Sequence, residues 1–228
     1  MQFAVPVPPV VSIPIAGGDE SFPVRRVYCV GRNYAAHARE MGKDPEREAP
    51  FFFLKPTDNI VGNGVDVPYP PRSSNLHHEI ELVVALALGG KDVPVNMANE
   101  LVFGYAVGND LTRRDLQLQA RDAGRPWFTG KGFDHSAPVA AISRRSDIGT
   151  LDRGAIWLNV NGVERQRADI TDLIWSVPEI IAELSALFEL FPGDVIFTGT
   201  PAGVGAVVRG DLIEGGIEGL AGLQTRIV

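Results

Sequence analysis

With 228 residues, 45% of them hydrophobic, the chain has the size of one large domain able to bury a sizeable core, and its single cysteine excludes an internal disulfide. A formal charge of −7, from 28 acidic against 21 basic side chains, argues against a nucleic-acid surface, because such affinity rests on Lys and Arg neutralising phosphates. Small molecules are the expected partners, and a lone cysteine without CxxC or zinc-type Cys/His spacing fits a reducing, cytoplasmic setting.

Residues 1–24 open with an apolar segment that is broken by prolines and has no basic residue before Arg25, unlike a signal peptide or a membrane-spanning helix. They are expected to form an extended strand or arm ahead of a single catalytic domain, residues 25–228. Val27 to Val30 reads as a buried strand, and GRNYAAHAREMG as a short helix ended by Gly42. Phe51 to Leu54 form an apolar strand that leads through turn-rich KPTDNIVGNG towards the run HHEIELVVALAL (77–88). Residues 94–101 suit a short helix, VFGYAVGND (102–110) a strand, and LTRRDLQLQARDAG a helix ended near Gly124 and Pro126. In AIWLNVNGVERQR (155–167), two alternating runs meet at Asn161-Gly162, the strongest short hairpin signal. VPEIIAELSALFEL (177–190) is the best amphipathic helix, with Ile180, Ile181, Leu184, Leu187 and Phe188 on one face and Pro178 in the first turn. Strands at Val195 to Thr198 and Leu223 to Val228, separated by Gly-rich turns, complete an α+β fold in which β dominates.

Glu79 and Glu81 carry the chemistry. In a strand, residues two apart share a face, and Asp110 at the end of a neighbouring apolar run could bring a third carboxylate to them. Glu-x-Glu alone is more often the solvent face of an edge strand. Here the strand turns apolar on both faces after Glu81, so it reads as buried, where unpaired carboxylates are costly and a cation offsets the cost. Three oxygen ligands select a hard ion, Mg2+ or Mn2+. His77 and His78 point to opposite faces, so at most one could join the glutamates.

His37 and Glu40, three apart, become neighbours if helical and could act as an oriented base pair; an ordinary exposed pair is the plainer alternative. Lys131 lies between two glycines in FTGKGFDHSAPV, where its ammonium could approach a ligand. Gly199 and Thr200 sit at a strand end in VIFTGTPAGVG, where N–H groups and hydroxyls commonly bind anions. A dinucleotide loop is rejected, because the third glycine is missing.

In order and spacing, VYCVGRNYAAHAREMG, HHEIELVVAL, VGNDLTRRDLQ, GKGFDHSAPV and PGDVIFTGTPAGVG resemble the fumarylacetoacetate hydrolase family, and the first two stretches are most similar to its branch acting on 3-fumarylpyruvate. The resemblance implies a mixed β-roll, a homodimer, and an Mg2+ or Mn2+ site on Glu79, Glu81 and Asp110. It also implies a lid-helix catalytic pair His37 and Glu40, an active-site lysine at Lys131, and substrate contacts at Arg114, Gln117 and Thr200. The implied reaction is hydrolysis of a carbon–carbon bond in a 3-acylpyruvate, a small anionic keto acid. Oxaloacetate decarboxylation or keto-acid isomerisation on the same scaffold is the rival. The acyl pocket could draw on Arg32, Phe51, Phe53 or Trp127, which the sequence leaves unranked.

Overall fold

The computed structural model describes residues 2–35 and 47–228. The expected helix over GRNYAAHAREMG lies in part outside the described residues, which stop at Ala35 and so do not include His37 and Glu40. In chain order the strands are β1 (Ser12–Pro14), β2 (Ser21–Pro23), β3 (Arg26–Gly31), β4 (Phe51–Lys55), β5 (Ile60–Gly62), β6 (Leu76–His78), β7 (Ile80–Leu86), β8 (Val102–Asn109) and β9 (Thr112–Arg113). They continue with β10 (Ala137–Val139), β11 (Ser143–Arg144), β12 (Ala155–Val160), β13 (Val163–Asp169), β14 (Asp194–Phe197), β15 (Gly205–Val207), β16 (Leu212–Ile217) and β17 (Leu223–Arg226).

One mixed, curled sheet organises the molecule, with strand order β4-β3-β14-β7-β8-β10-β5 and β11 paired to β8. β14 runs parallel to β3 and β10 parallel to β5, while the other pairings are antiparallel. β7 lies centrally and is buried along its whole length, as a run apolar on both faces requires. Its Leu82, Val84 and Leu86 join a core shared with the sheet β13-β12-β16-β17 and with Ile180, Ile181 and Leu184 of the Val177–Leu187 helix. Its Val83 and Ala85 face the opposite way, into a second core with Val27, Cys29, Ala106, Val195 and Phe197. By alternation, Glu81 points into this second core.

Three expectations meet a different structure. The run 77–88 is two strands, not one: β6 pairs with β9 and β15 in a small sheet, β7 pairs with β8 and β14, and Glu79 occupies the break. There the Glu79 N–H leaves the ladder and donates to Asn109 Oδ1 at 2.8 Å. Within residues 1–24, β1 and β2 form a hairpin whose Ile13, Ile15 and Phe22 belong to the second core, with Phe22 against Phe103 at a centroid distance of 5.1 Å. Only the stretch before it is extended and exposed. The amphipathic helix stops at Leu187, and Phe188 has extended backbone angles, so Leu187 and Phe188 leave the buried face and are exposed. Its start follows the sequence: Ser176 and Glu179 close a capping box beside Pro178.

Candidate metal centre and active site

Glu81 lies opposite Gly108 in the β7–β8 ladder, and two positions further the Asp110 N–H donates to the Glu79 carbonyl at 2.8 Å. This pairing brings one oxygen each of Glu79, Glu81 and Asp110 within 4.8 Å of one another, all buried. An edge-strand solvent face is thereby excluded for both glutamates.

The trio is partly compensated from within. Lys131 Nζ donates to Glu79 Oε2 at 2.7 Å, Asp110 Oδ2 at 2.6 Å and Thr112 Oγ1 at 2.7 Å. Burial lowers the lysine's proton affinity, but Asp110 and Glu79 outweigh it and hold the ammonium above its usual range. Arg114 pairs with the other oxygen of Glu79, and Lys55 Nζ lies 2.8 Å from Asp110 Oδ1. Glu81 differs. Its Oε2 accepts the Gly199 N–H at 2.8 Å, and among the described residues no cationic side chain pairs with it. Burial, then the charges of Asp110 and Glu79, pushes its carboxyl well above the ordinary range.

This arrangement fits a hard divalent cation. The donors are carboxylate oxygens, and the surplus of negative charge is concentrated where a cation would relieve it. His77 and His78 take no part: His77 Nε2 meets Asn75 Oδ1 at 2.9 Å and His78 Nδ1 meets Gln166 Oε1 at 2.9 Å. Both imidazoles are held neutral chiefly by burial, His77 with a pKa pushed down to about 4.

A cleft opens over the trio, lined among others by Arg114, Gln117, Lys131, Thr200, Arg32 and Trp127. Arg114 and Gln117 are three residues apart on the Arg114–Asp122 helix and face the same way, with the guanidinium donating to Gln117 Oε1. Lys131 ends a single helical turn, Phe128–Lys131, rather than lying in an irregular loop. Thr200 Oγ1 accepts from Gln166 Nε2 at 2.8 Å, leaving its own proton directed elsewhere. The Gly199 N–H, expected to serve an anionic ligand, is directed at Glu81.

Gly199 is held in the left-handed region at φ +100°, and a Cβ there would meet Asn33 Cβ at 2.7 Å. Asn33 cannot yield, because its amide bridges Trp175 and Thr198. Gly199→Ala is therefore expected to lower stability by roughly 1–3 kcal/mol in urea unfolding. It is also expected to weaken divalent-ion binding, since the N–H that orients Glu81 moves.

Sequence reasoning missed Lys55 and Gln166. Lys55 looks like the polar end of the FFFLK strand, yet it is buried and also donates to Ser136 Oγ at 3.0 Å and to backbone carbonyls. Gln166 is the buried residue of an otherwise largely exposed β13, and besides Thr200 and His78 it binds Pro201 O and the Ile80 N–H. Hairpin alternation alone gave no reason to single it out.

Residues 26–228 match the C-terminal domain of fumarylacetoacetate hydrolase. The chain belongs to the fumarylacetoacetate hydrolase family. Among its relatives in this family, a fumarylpyruvate hydrolase from Ralstonia sp. is 48% identical, over 81% of this chain and 95% of that protein. The crystal structure of fumarylpyruvate hydrolase from Pseudomonas aeruginosa, in complex with Mn2+ and pyruvate, is 55% identical with a TM-score of 0.98, covering 100% of this chain and 99% of that one. An oxaloacetate tautomerase of Arabidopsis thaliana is 41% identical over 87% of this chain and 89% of that protein. Among the described residues of this family member, no helix is long and apolar enough to cross a membrane.

Proposed function

We propose that the protein is a divalent-metal-dependent hydrolase that cleaves the carbon–carbon bond of a 3-acylpyruvate, with 3-fumarylpyruvate as substrate and fumarate and pyruvate as products. The observation that carries this reading is the buried trio Glu79, Glu81 and Asp110 beneath a cleft rich in cations. The 55% identity over the whole chain to a fumarylpyruvate hydrolase supports the choice of substrate.

A Mg2+ or Mn2+ ion held by the trio supplies Lewis-acid chemistry, making the pyruvyl enolate a tolerable leaving group. Arg114, Gln117 and the Thr200 hydroxyl bind and orient the pyruvyl oxygens. Lys131 keeps Glu79 and Asp110 in place and adds positive charge beside the departing half. Gly199 acts through Glu81, fixing the carboxylate with its N–H. His37, its tautomer set by Glu40, takes a proton from water, which attacks the distal acyl carbonyl. Collapse of the tetrahedral adduct breaks the bond to the methylene carbon; the electron pair passes to the pyruvyl half, which accepts a proton there to give pyruvate, while the acyl half leaves as the acid. In this reading the enzyme is a cytoplasmic homodimer serving gentisate-type aromatic breakdown.

Incubation with fumarylpyruvate and Mn2+ is expected to yield equimolar fumarate and pyruvate, and chelation to abolish both. Exclusive action on oxaloacetate, by decarboxylation or tautomerisation, would overturn the hydrolase reading in favour of the chemistry named for the Arabidopsis relative. His37→Ala is expected to lower fumarylpyruvate kcat by about 10²-fold while metal binding persists; undiminished turnover would remove the base assignment.

A further inference from the structure

Among the described residues, four cationic side chains line the cleft, and three of them already have carboxylate partners. Lys131 holds Glu79 and Asp110, Arg114 holds Glu79, and Arg121 is paired with Asp122 at 2.9 Å on the rim. Arg32 is different: among the described residues its guanidinium has neither a carboxylate nor a hydrogen-bond partner.

Its surroundings aim it nonetheless. Arg32 follows directly on β3 with φ 61°, a left-handed conformation uncommon for a long side chain and sustained only where neighbours fix it. The guanidinium lies 5.7 Å from the Trp127 ring and 6.0 Å from the Phe51 ring, and those two rings meet edge-on at 4.9 Å. Phe53 continues this wall, 6.3 Å from Trp127, and Lys131 Nζ lies 5.2 Å from the Phe53 ring. An aromatic surface thus leads from the lysine beside the carboxylate trio to an unpaired, half-buried guanidinium. Flat rings suit a flat, conjugated chain, and a guanidinium fork suits a terminal carboxylate in bidentate contact.

We infer that Arg32 is the specificity residue for a second carboxylate at the distal end of the substrate, so that the enzyme selects acylpyruvates whose acyl group itself ends in an acid. This inference rests on the acylpyruvate hydrolase reading and ranks Arg32 above the aromatic side chains as the determinant of acyl choice. Phe53 and Trp127, which line the cleft, form the wall along which the chain lies, with Phe51 packed against Trp127.

The test compares kcat/KM for fumarylpyruvate with that for acetylpyruvate, which has a methyl group in place of the acid-bearing arm. Wild type is expected to prefer fumarylpyruvate. Arg32→Met is expected to reduce that preference roughly 10- to 100-fold, mainly through KM, as befits loss of a charged hydrogen-bonded contact. Arg32→Lys should restore part of it as a point charge without the fork. Wild-type turnover of both compounds with a preference unchanged in Arg32→Met overturns the inference and leaves the hydrolase reading standing. A loss of preference in Arg121→Met but not in Arg32→Met likewise overturns it. Wild type inert towards both compounds overturns the hydrolase reading, and the inference with it.

Discussion

Glu81→Gln is expected to abolish metal-dependent turnover, by about 10³-fold or more, and at the same time to make the metal-free protein more stable. The two effects share one cause. Glu81 is buried beside two further carboxylates; among the described residues it accepts the Gly199 N–H at 2.8 Å, and the cations around it serve Glu79 and Asp110. Its carboxyl is pushed up by burial and by those neighbouring charges. A carboxyl whose folded pKa exceeds its unfolded value of about 4.3 contributes full stability only below that value, and the contribution is lost as pH rises through the folded pKa. In chelator, the wild-type protein should therefore weaken as pH rises through this window, whereas Glu81→Gln should be flatter. The amide keeps the acceptor for Gly199 but needs no ionisation. A gain of about 1–3 kcal/mol in chelator at neutral pH is the expected scale. Added Mn2+ should raise the melting temperature of wild type and barely move that of the variant, because affinity for a hard ion depends on the lost charge. The loss of turnover corresponds to several kcal/mol of charge stabilisation withdrawn from the transition state. Thermal unfolding with and without Mn2+, beside steady-state kinetics, checks both halves. A variant that turns over normally, or that is stabilised by Mn2+ as much as wild type, would remove Glu81 from the metal site.

The parts of this site that were legible in the sequence are those whose signal is local. The β7 run is apolar on both faces because the strand is central, and an ionisable residue within such a run has to be accounted for chemically. The Asn161-Gly162 hairpin was legible for a similar reason: Asn161 (φ 52°) and Gly162 (φ 75°) both adopt positive φ, as a two-residue turn demands. What stayed hidden depends on which strand lies beside which. Lys55 and Asp110 are 55 positions apart, and no periodicity in FFFLK announces their contact. β16 escaped notice because Gly215 and Gly216 dilute its apolar pattern; a Cβ at Gly215 would meet Ile80 Cδ1 at 2.4 Å, so in the packing of the β13-β12-β16-β17 sheet against the start of β7 the isoleucine fills the space a side chain would take. The break at Glu79 is also tertiary in origin, since β6 and β7 are drawn into different sheets. Arg32 could be proposed from the sequence but not ranked, because its distinction is that among the described residues its guanidinium meets aromatic rings and no carboxylate, which only the packing around it reveals.

Lys131→Met is expected to be the most destabilising substitution at the site in the absence of metal, and the one that added metal most repairs. The ammonium lies within hydrogen-bond distance of Glu79, Asp110 and Thr112, and it is as deeply buried as they are. Removing one member of a buried ionic cluster leaves the others charged in a poor solvent, at a cost of about 3–5 kcal/mol. Methionine is chosen because it approximates the length of the lysine stem, so the change is mainly one of charge rather than of cavity. Lys55 and Arg114 remain, each held by one carboxylate, and neither replaces a cation that bridges two. A divalent ion bound by the same three carboxylates supplies the missing positive charge, so saturating Mn2+ should recover most of the lost stability. Activity should not return with it, because the lysine also faces the cleft, where its charge favours the departing pyruvyl half. Melting temperature measured across an Mn2+ titration, together with kcat at saturating metal, separates these two roles. Equal destabilisation with and without Mn2+ would show that Lys131 stabilises the fold independently of the cation site, and full activity in the rescued variant would confine it to holding the carboxylates.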